Sequence, residues 1–147
     1  MSLKESLLED MKMAMKNKDK QKLSVIRMAR AAIKNVEIAK RKDLSDNEVI
    51  NVLAKEVKQR RDSILEYKKG NKEDAITRLN EEIKILTEYL PEQLDKNEIE
   101  GLVNEVISDL GASSMADIGK VMSSIMPKVK GRADGNIVNL LVRKKLS

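Results

Sequence analysis

Apolar residues recur every three or four positions along most of the chain, which is the spacing of helices that bury one face. The first of these stripes follows a capping-box pattern formed by Ser2 and Glu5. The third follows another such pattern, formed by Ser45 and Glu48. No segment alternates apolar and polar residues with the period of two that a half-buried strand requires. The pattern therefore predicts an all-α protein.

A break in the pattern divides the predicted helices into two groups. Pro91 is predicted to end the fourth helix, because a proline inside a helix removes a backbone hydrogen bond and clashes with the preceding turn. Three shorter helices follow, with Asp95 and Asp134 as the predicted caps of the first and the last. We therefore predict an N-terminal bundle of about four helices over residues 1–91 and a C-terminal three-helix subdomain over residues 92–147.

The composition supports helices and excludes several kinds of chemistry. Two tyrosines are the only aromatic residues, so the core must consist of Leu, Ile, Val, Met and Ala. The absence of cysteine and histidine excludes disulfides, thiolate nucleophiles, Cys/His zinc sites and imidazole acid–base catalysis. No glycine-rich nucleotide-binding motif occurs. The sequence therefore predicts no catalytic residue, no metal and no cofactor.

The hydropathy of the chain also bears on its location. No apolar run reaches the ~18 residues of a membrane span. The first residues lack the apolar stretch of a secretory signal. We therefore expect a soluble, cytoplasmic protein that does not interact with a membrane.

The net charge is +5, and it is unevenly distributed along the chain. Residues 91–116 contain six acidic residues and one lysine, whereas residues 117–147 contain seven basic residues and two aspartates. This separation predicts an acidic and a basic pole in the second subdomain. The basic pole predicts an anionic partner for the C-terminal end of the chain.

The strongest candidate site is a predicted turn near the C-terminus that carries several cations. Gly131 lies among them and lets the backbone bend, because it has no side chain. Since rings for base stacking are almost absent, the pattern favours recognition of a folded nucleic acid by its shape and backbone. The alternative is a plain connection between two helices with solvated lysines. The candidate RNA-binding residues are Lys120, Lys128, Lys130, Gly131 and Arg132.

A secondary basic face is predicted on the second helix. Its cations recur at seven-residue intervals with one more between them: Lys20, Arg27, Arg30, Lys34 and Arg41. Such a stripe either follows phosphates or is an ordinary solvated helix face. Arg60 of the third helix lies at the edge of a buried stripe, where its guanidinium either meets a phosphate or a partner's carboxylate. The alternatives are that Arg60 packs its stem and extends its charged end to solvent, or that it pairs with an acid of a neighbouring helix. The candidate residues of this secondary face are Arg27, Arg30, Lys34 and Arg60.

Several short motifs extend over nearly the whole chain: LSVIR at 23–27, KQRRDS at 58–63, YLPEQL at 89–94, GKVM at 119–122 and KGRAD at 130–134. Together they resemble the GatB/YqeY family, in its free-standing YqeY form. In the B subunit of glutamine-dependent tRNA amidotransferases, a similar domain lies at the C-terminus and helps to hold the tRNA. The resemblance implies an all-helical protein of two subdomains. It also implies that Lys120, Lys128, Lys130 and Arg132 contact RNA.

The resemblance does not extend to the catalytic part of that B subunit, which uses ATP and magnesium, or to a glutaminase domain. A carbon–nitrogen ligase activity with glutamine as amido donor would therefore be one of family association. We predict a non-catalytic accessory protein that binds tRNA or another folded RNA through its basic C-terminal turn. The alternative is a protein–protein adaptor that docks onto other subunits through its acidic and basic helices.

Overall fold

A computed structural model describes residues 1–147 and contains seven α-helices and no β-strand. Helices account for 79% of the chain, which confirms the predicted all-α fold. None of the helices combines the length and the hydropathy of a membrane span. The helices are α1 (Leu3–Lys16), α2 (Lys20–Lys40), α3 (Asp46–Lys69), α4 (Glu73–Thr87), α5 (Lys96–Leu110), α6 (Ile118–Val129) and α7 (Gly135–Leu146).

Local sequence signals set several of the helix ends. At the start of α1, the Ser2 hydroxyl accepts a hydrogen bond from the Glu5 amide at 3.1 Å, which completes the predicted capping box. Ser45 caps α3 and Asp95 caps α5 in the same way. The cap after α5 is Gly111, whose φ of +62° is a left-handed conformation that favours glycine.

The first of two compact units is Met1–Pro91, which contains α1 to α4. In this unit α3 packs against α4, and α2 contacts α1, α3 and α4. Burial raises the pKa of the Tyr89 hydroxyl, which donates a hydrogen bond to the Asp10 carboxylate. The core of this unit consists of Tyr89 and ten aliphatic residues: Leu7, Val25, Ile26, Ala29, Ile33, Leu44, Val49, Leu53, Val57 and Leu86.

The second compact unit is Glu92–Ser147, which contains α5, α6 and α7. A short 3-10 turn, Met115–Asp117, directly precedes α6. Each of the three helices contacts the other two, so each buries an aliphatic stripe against the same centre. The core residues are Ile99, Val103, Val106, Val121, Ile125, Val129, Val138, Leu141, Val142 and Leu146.

Helix α6 extends further than the sequence pattern predicts. The pattern places Lys128 in the turn, but α6 continues through Pro127 and Lys128 to Val129. Pro127 removes one backbone hydrogen bond, yet fully buried Val129 keeps the last helical turn in the core. Gly135 is the first residue of α7. The connection between the two helices is therefore limited to residues 130–134.

Glu48 makes the start of α3 sensitive to acid. Its ion pair with Lys42, with Nζ and Oε2 3.0 Å apart, and a hydrogen bond from the Ser45 amide lower the pKa of Glu48 to about 2. A carboxyl group whose pKa is lowered by folding stabilises the fold fully above its unfolded pKa, near 4.5, and this stabilisation is lost as the pH falls toward 2. We therefore expect the free energy of unfolding to fall less steeply between about pH 5 and pH 2 in Glu48→Gln than in the wild type.

Urea unfolding followed by tyrosine fluorescence measures this difference, because both tyrosines lie in the first unit. The exposed Glu9 of α1 supplies a matched control, since Glu9→Gln removes the same charge from a site without an ion pair. Its pH profile should follow that of the wild type. Equal slopes for the two variants would contradict the prediction.

Candidate nucleic-acid interface

Residues 130–134 form a tight connection between α6 and α7. The amides of Arg132 and Ala133 both donate to the Val129 carbonyl, at 2.8 and 3.0 Å, and close the last turn of α6. Gly131 lies between α6 and these two residues. It is buried and has a φ of +74°, a conformation that residues with side chains rarely adopt. Gly131 therefore shapes the turn and contributes no side chain to a ligand.

The segment before α5 holds this connection in place. The Leu94 amide donates to the Arg132 carbonyl at 2.8 Å, and Gln93 Nε2 donates to the Gly131 carbonyl at 2.7 Å. Arg132 Nε in turn donates to the Glu92 carbonyl at 3.1 Å. These hydrogen bonds fix the backbone of the turn without a ligand, which lowers the entropic cost of binding one.

We use the term basic turn for the cations that this backbone presents: Lys128, Lys130 and Arg132. The two lysines are exposed and form no ion pair within the protein. Half-buried Arg132 uses Nε for the Glu92 carbonyl, and its two Nη groups form no ion pair. The acid in the connection, Asp134, accepts a hydrogen bond from the Asn136 amide at 2.9 Å and caps α7. Exposed positive charge on a fixed backbone is suited to contacts with phosphates.

Lys120 lies apart from the basic turn. It belongs to the first turn of α6, eight residues before Lys128, which corresponds to a rise of about 12 Å. Hydrogen bonds from the amides of Ser113 and Ser114 lower the pKa of Asp117, and the nearby charge of Lys120 lowers it further. The structure therefore brings together three of the predicted RNA-binding side chains and places the fourth at the other end of α6.

The end of α7 adds cations that were not among the predicted site residues. Helix α7 contacts both α6 and the 3-10 turn that precedes α6, so the two helices, joined by a short connection, run antiparallel. The last turn of α7 contains Arg143, Lys144 and Lys145 and therefore lies toward Lys120. The run of three cations is visible in the sequence, but its proximity to Lys120 depends on how the helices pack.

In the first unit, three residues of the predicted secondary face line one groove. Arg27, Arg30 and Lys34 are exposed at the edge of a cavity of about 520 Å³ between α1 and α2. They share one face of α2 because they are three and four residues apart. Arg30 also approaches α1, with Nη1 3.2 Å from the Met11 sulfur.

Arg60 does not belong to this exposed face. It is 6% exposed, and its Nε donates to the Glu82 carboxylate of α4 at 2.9 Å. Its Nη1 donates to the Glu56 carboxylate at 3.3 Å and to the Glu56 carbonyl at 3.1 Å. The structure thus supports the alternative interpretation, in which Arg60 pairs with an acid of a neighbouring helix. We therefore leave Arg60 out of the candidate interface.

Several carboxylates of the protein cap helices or form ion pairs. Asp95 and Asp134 accept hydrogen bonds from backbone amides at helix starts, and Glu82 pairs with Arg60. No group of three or more acidic residues is placed to hold a metal ion.

Comparison with known proteins assigns the chain to a family. The family model described as Yqey-like protein matches residues 4–146, which is nearly the whole chain. The chain belongs to the YqeY-like family. This family is related to the C-terminal domain of the GatB and GatE subunits of tRNA amidotransferases, so the resemblance seen in the sequence motifs is confirmed.

Curated relatives of this YqeY-like chain fall into two groups. Altered inheritance of mitochondria protein 41, mitochondrial, from Kluyveromyces lactis is 38% identical over 112 residues, which are 74% of this chain and 60% of the relative. The protein of the same name from Vanderwaltozyma polyspora is 32% identical over 76% of this chain and 64% of its own length. The GatE-type glutamyl-tRNA(Gln) amidotransferase subunit from Methanococcus maripaludis is 30% identical over 67% of this chain but only 16% of its own length. The chain thus spans less than two thirds of the length of these relatives.

Proposed function

We propose that this YqeY-like protein is a non-catalytic accessory protein that binds folded RNA, in the first instance tRNA, through its basic turn. The observation that carries the proposal is the exposure of Lys128 and Lys130, without intramolecular ion pairs, beside a backbone fixed by hydrogen bonds. Family membership supports it, because a related subunit takes its name from glutamyl-tRNA(Gln). The predicted cytoplasmic location is part of the proposal, although fungal relatives are named as mitochondrial.

The residues of the proposed interface have different roles. Lys128 and Lys130 neutralise phosphates as exposed point charges. Arg132 holds the turn through Nε and offers its Nη groups to a phosphate, while Gly131 makes the backbone conformation accessible. Lys120 and the cations at the end of α7 form a second contact with the RNA, about 12 Å along α6 from Lys128.

The proposal separates RNA binding from amide transfer. A carbon–nitrogen ligase activity with glutamine as amido donor belongs to the larger enzymes with which the family is associated. In the proposed role, this protein holds RNA and performs no chemistry on it.

The second candidate function is a protein–protein adaptor. The observation that favours it is the acidic outer surface of α5, where Glu98, Glu105 and Asp109 are all exposed. Together with the basic turn, this surface gives the second unit two charged poles, either of which complements an oppositely charged partner.

The test of RNA binding is the variant Lys128→Ala/Lys130→Ala, which leaves the Arg132 hydrogen bond intact. We expect its affinity for folded tRNA to fall roughly tenfold or more at about 0.1 M salt, because two phosphate contacts are lost. The slope of log affinity against log salt should fall by roughly 0.7–0.9 for each lost contact. Filter binding or fluorescence anisotropy across a salt series measures both quantities. Glu-tRNA bound to the wild type should stay unamidated when glutamine and ATP are added.

Two variants serve as matched controls. Lys55→Ala/Lys68→Ala removes the same charge from exposed positions of α3 that form no ion pair, and it should keep the wild-type salt slope. Glu105→Lys/Asp109→Lys reverses the acidic pole and should not weaken RNA binding. If Lys128→Ala/Lys130→Ala binds tRNA like the wild type, and the α5 variant loses a protein partner, the adaptor function replaces the proposed one.

A further inference from the structure

The outer face of α2 carries a second regular stripe whose side chains are exposed. Its members within α2 are Arg27, Ala31, Lys34 and Ile38, spaced by steps of four, three and four residues, and all of them are exposed. Arg41, three residues further on, is also exposed, but it is the C-cap residue of α2 and has a left-handed φ of +55°. An average step of three and a half residues is the repeat by which one helix packs along another. The inner stripe of α2, which includes Val25, Ala29 and Ile33, already lies in the core. The outer stripe therefore has the spacing with which one helix packs along another, but its side chains are exposed.

The surface beside this stripe is a long groove. The cavity of about 520 Å³ between α1 and α2 is lined by apolar Leu7, Leu8 and Ala31 and edged by Arg27 and Lys34. A second depression, of about 330 Å³, shares Lys34 with the first and continues past Ile38 to Arg41. From Arg27 to Lys40, the last residue of α2, the helix rises by about 20 Å, and Arg41 follows directly. An elongated occupant fits this groove better than a compact one.

The charge along the groove is positive, because six cations and only three acids line its two depressions. Glu37 accepts hydrogen bonds from Lys4 Nζ at 2.5 Å and from the Leu44 amide at 3.0 Å. Glu5 belongs to the capping box of α1, and exposed Asp43 lies 3.9 Å from Lys4 Nζ. By contrast, no ion pair within the protein involves Arg27, Lys34 or Arg41. An occupant with carboxylates at the same seven-residue spacing would neutralise all three cations.

We propose that the groove between α1 and α2 is a docking site for an acidic amphipathic helix of a partner protein. The partner helix places an acidic residue every seven positions against Arg27, Lys34 and Arg41. Between these acids it places aliphatic residues against Ala31 and Ile38, in the manner of a helix lying in an apolar groove. This inference is independent of RNA binding by the basic turn.

Two other occupants fit the groove less well. A second copy of α2 would place cations against cations, because the same stripe would face itself in either orientation. RNA would satisfy the cations, but it would leave Ile38, which is 64% exposed, without an apolar contact. The stripe also contains no ring on which a base could stack. The alternation of apolar and basic side chains therefore favours a protein helix.

The experiment uses two synthetic 21-residue helical peptides that differ only in charge. Both have leucine at the aliphatic positions, and the seven-residue positions are glutamate in one peptide and lysine in the other. Fluorescence anisotropy with the full chain should show at least tenfold tighter binding of the glutamate peptide. The variant Arg27→Glu/Lys34→Glu/Arg41→Glu should reverse this preference. Ile38→Ser should weaken binding of the glutamate peptide several-fold and leave its salt dependence unchanged.

The control variant Lys55→Glu/Lys68→Glu/Lys84→Glu changes the net charge equally at exposed positions of α3 and α4. It should retain the wild-type preference, and circular dichroism should show wild-type helix content for every variant. Equal binding of both peptides, or unchanged preference in the α2 triple variant, would overturn the proposal. Two further results would also overturn it. One is a wild-type dimer in sedimentation that Ile38→Ser dissociates. The other is a loss of tRNA affinity in the α2 triple variant without a change in its binding of either peptide.

Discussion

Replacing Arg60 with methionine is expected to lower the free energy of unfolding of the first unit by about 2–4 kcal/mol. The guanidinium is the ion-pair partner of Glu56 and the closer of two partners of Glu82, whose other partner is Arg78 at 3.7 Å. Removing it leaves two carboxylates that are only 17% and 16% exposed. Methionine keeps the length of the apolar stem, so the loss reports on the charge and the hydrogen bonds more than on packing.

Urea unfolding followed by tyrosine fluorescence measures this loss, since Tyr67 and Tyr89 both lie in the first unit. Arg61→Met, at the next position of α3, is the matched control and should change the free energy of unfolding by less than about 1 kcal/mol. The triple variant Arg60→Met/Glu56→Gln/Glu82→Gln should recover part of the lost stability, because it removes the two carboxylate charges together with the cation. Equal destabilisation by Arg60→Met and Arg61→Met would show that the ion pairs of Arg60 with Glu56 and Glu82 make no specific contribution to stability.

Replacing Gly131 with alanine is expected to destabilise the second unit by about 1–2 kcal/mol, because a φ of +74° brings a β-carbon into conflict with the backbone. Gly101→Ala should act in the opposite direction and stabilise the same unit by roughly 0.5–1 kcal/mol. Gly101 lies inside α5, and a β-carbon there would meet no atom within 4 Å. The two substitutions add the same methyl group, so the difference between them isolates the backbone conformation.

Hydrogen exchange is the suitable measurement for this unit, which contains neither tyrosine. The amides of Arg132 and Ala133, which donate to the Val129 carbonyl, should lose protection in Gly131→Ala and keep it in Gly101→Ala. Affinity for tRNA should fall in Gly131→Ala if a fixed basic turn is what RNA recognises. Unchanged protection in Gly131→Ala would refute the role assigned to this glycine.

Helix identity could be predicted from the sequence because its signals are local. The capping boxes at Ser2 and Ser45 and the glycine at Gly111 act within a few residues of the helix ends that they determine. The end of α6 could not be predicted in this way. The sequence pattern predicted that Lys128 lies in the turn, but burial of Val129 in the core outweighs one missing hydrogen bond at Pro127. Here a tertiary contact overrode a local preference.

The candidate sites show the same division. Arg60 and Arg27 were both predicted members of the secondary basic face, since each is an arginine on an amphipathic helix. Only the position of α4 shows that Arg60 is buried against Glu82, whereas Arg27 borders an open groove. Likewise, the pairing of Arg132 with the Glu92 carbonyl joins residues forty positions apart and has no local signal.

The sequence by itself determined the helical class, most helix starts, the family and the sign of the charge at each end of the second unit. These properties depend on neighbouring residues in the sequence or on composition, so the linear sequence is enough to predict them. The tertiary structure decided which cations are exposed, which of them lie together and which helix face has no partner. Those properties depend on the free energy of packing distant segments, because a charge stays on the surface only where no carboxylate or apolar face from elsewhere in the chain covers it.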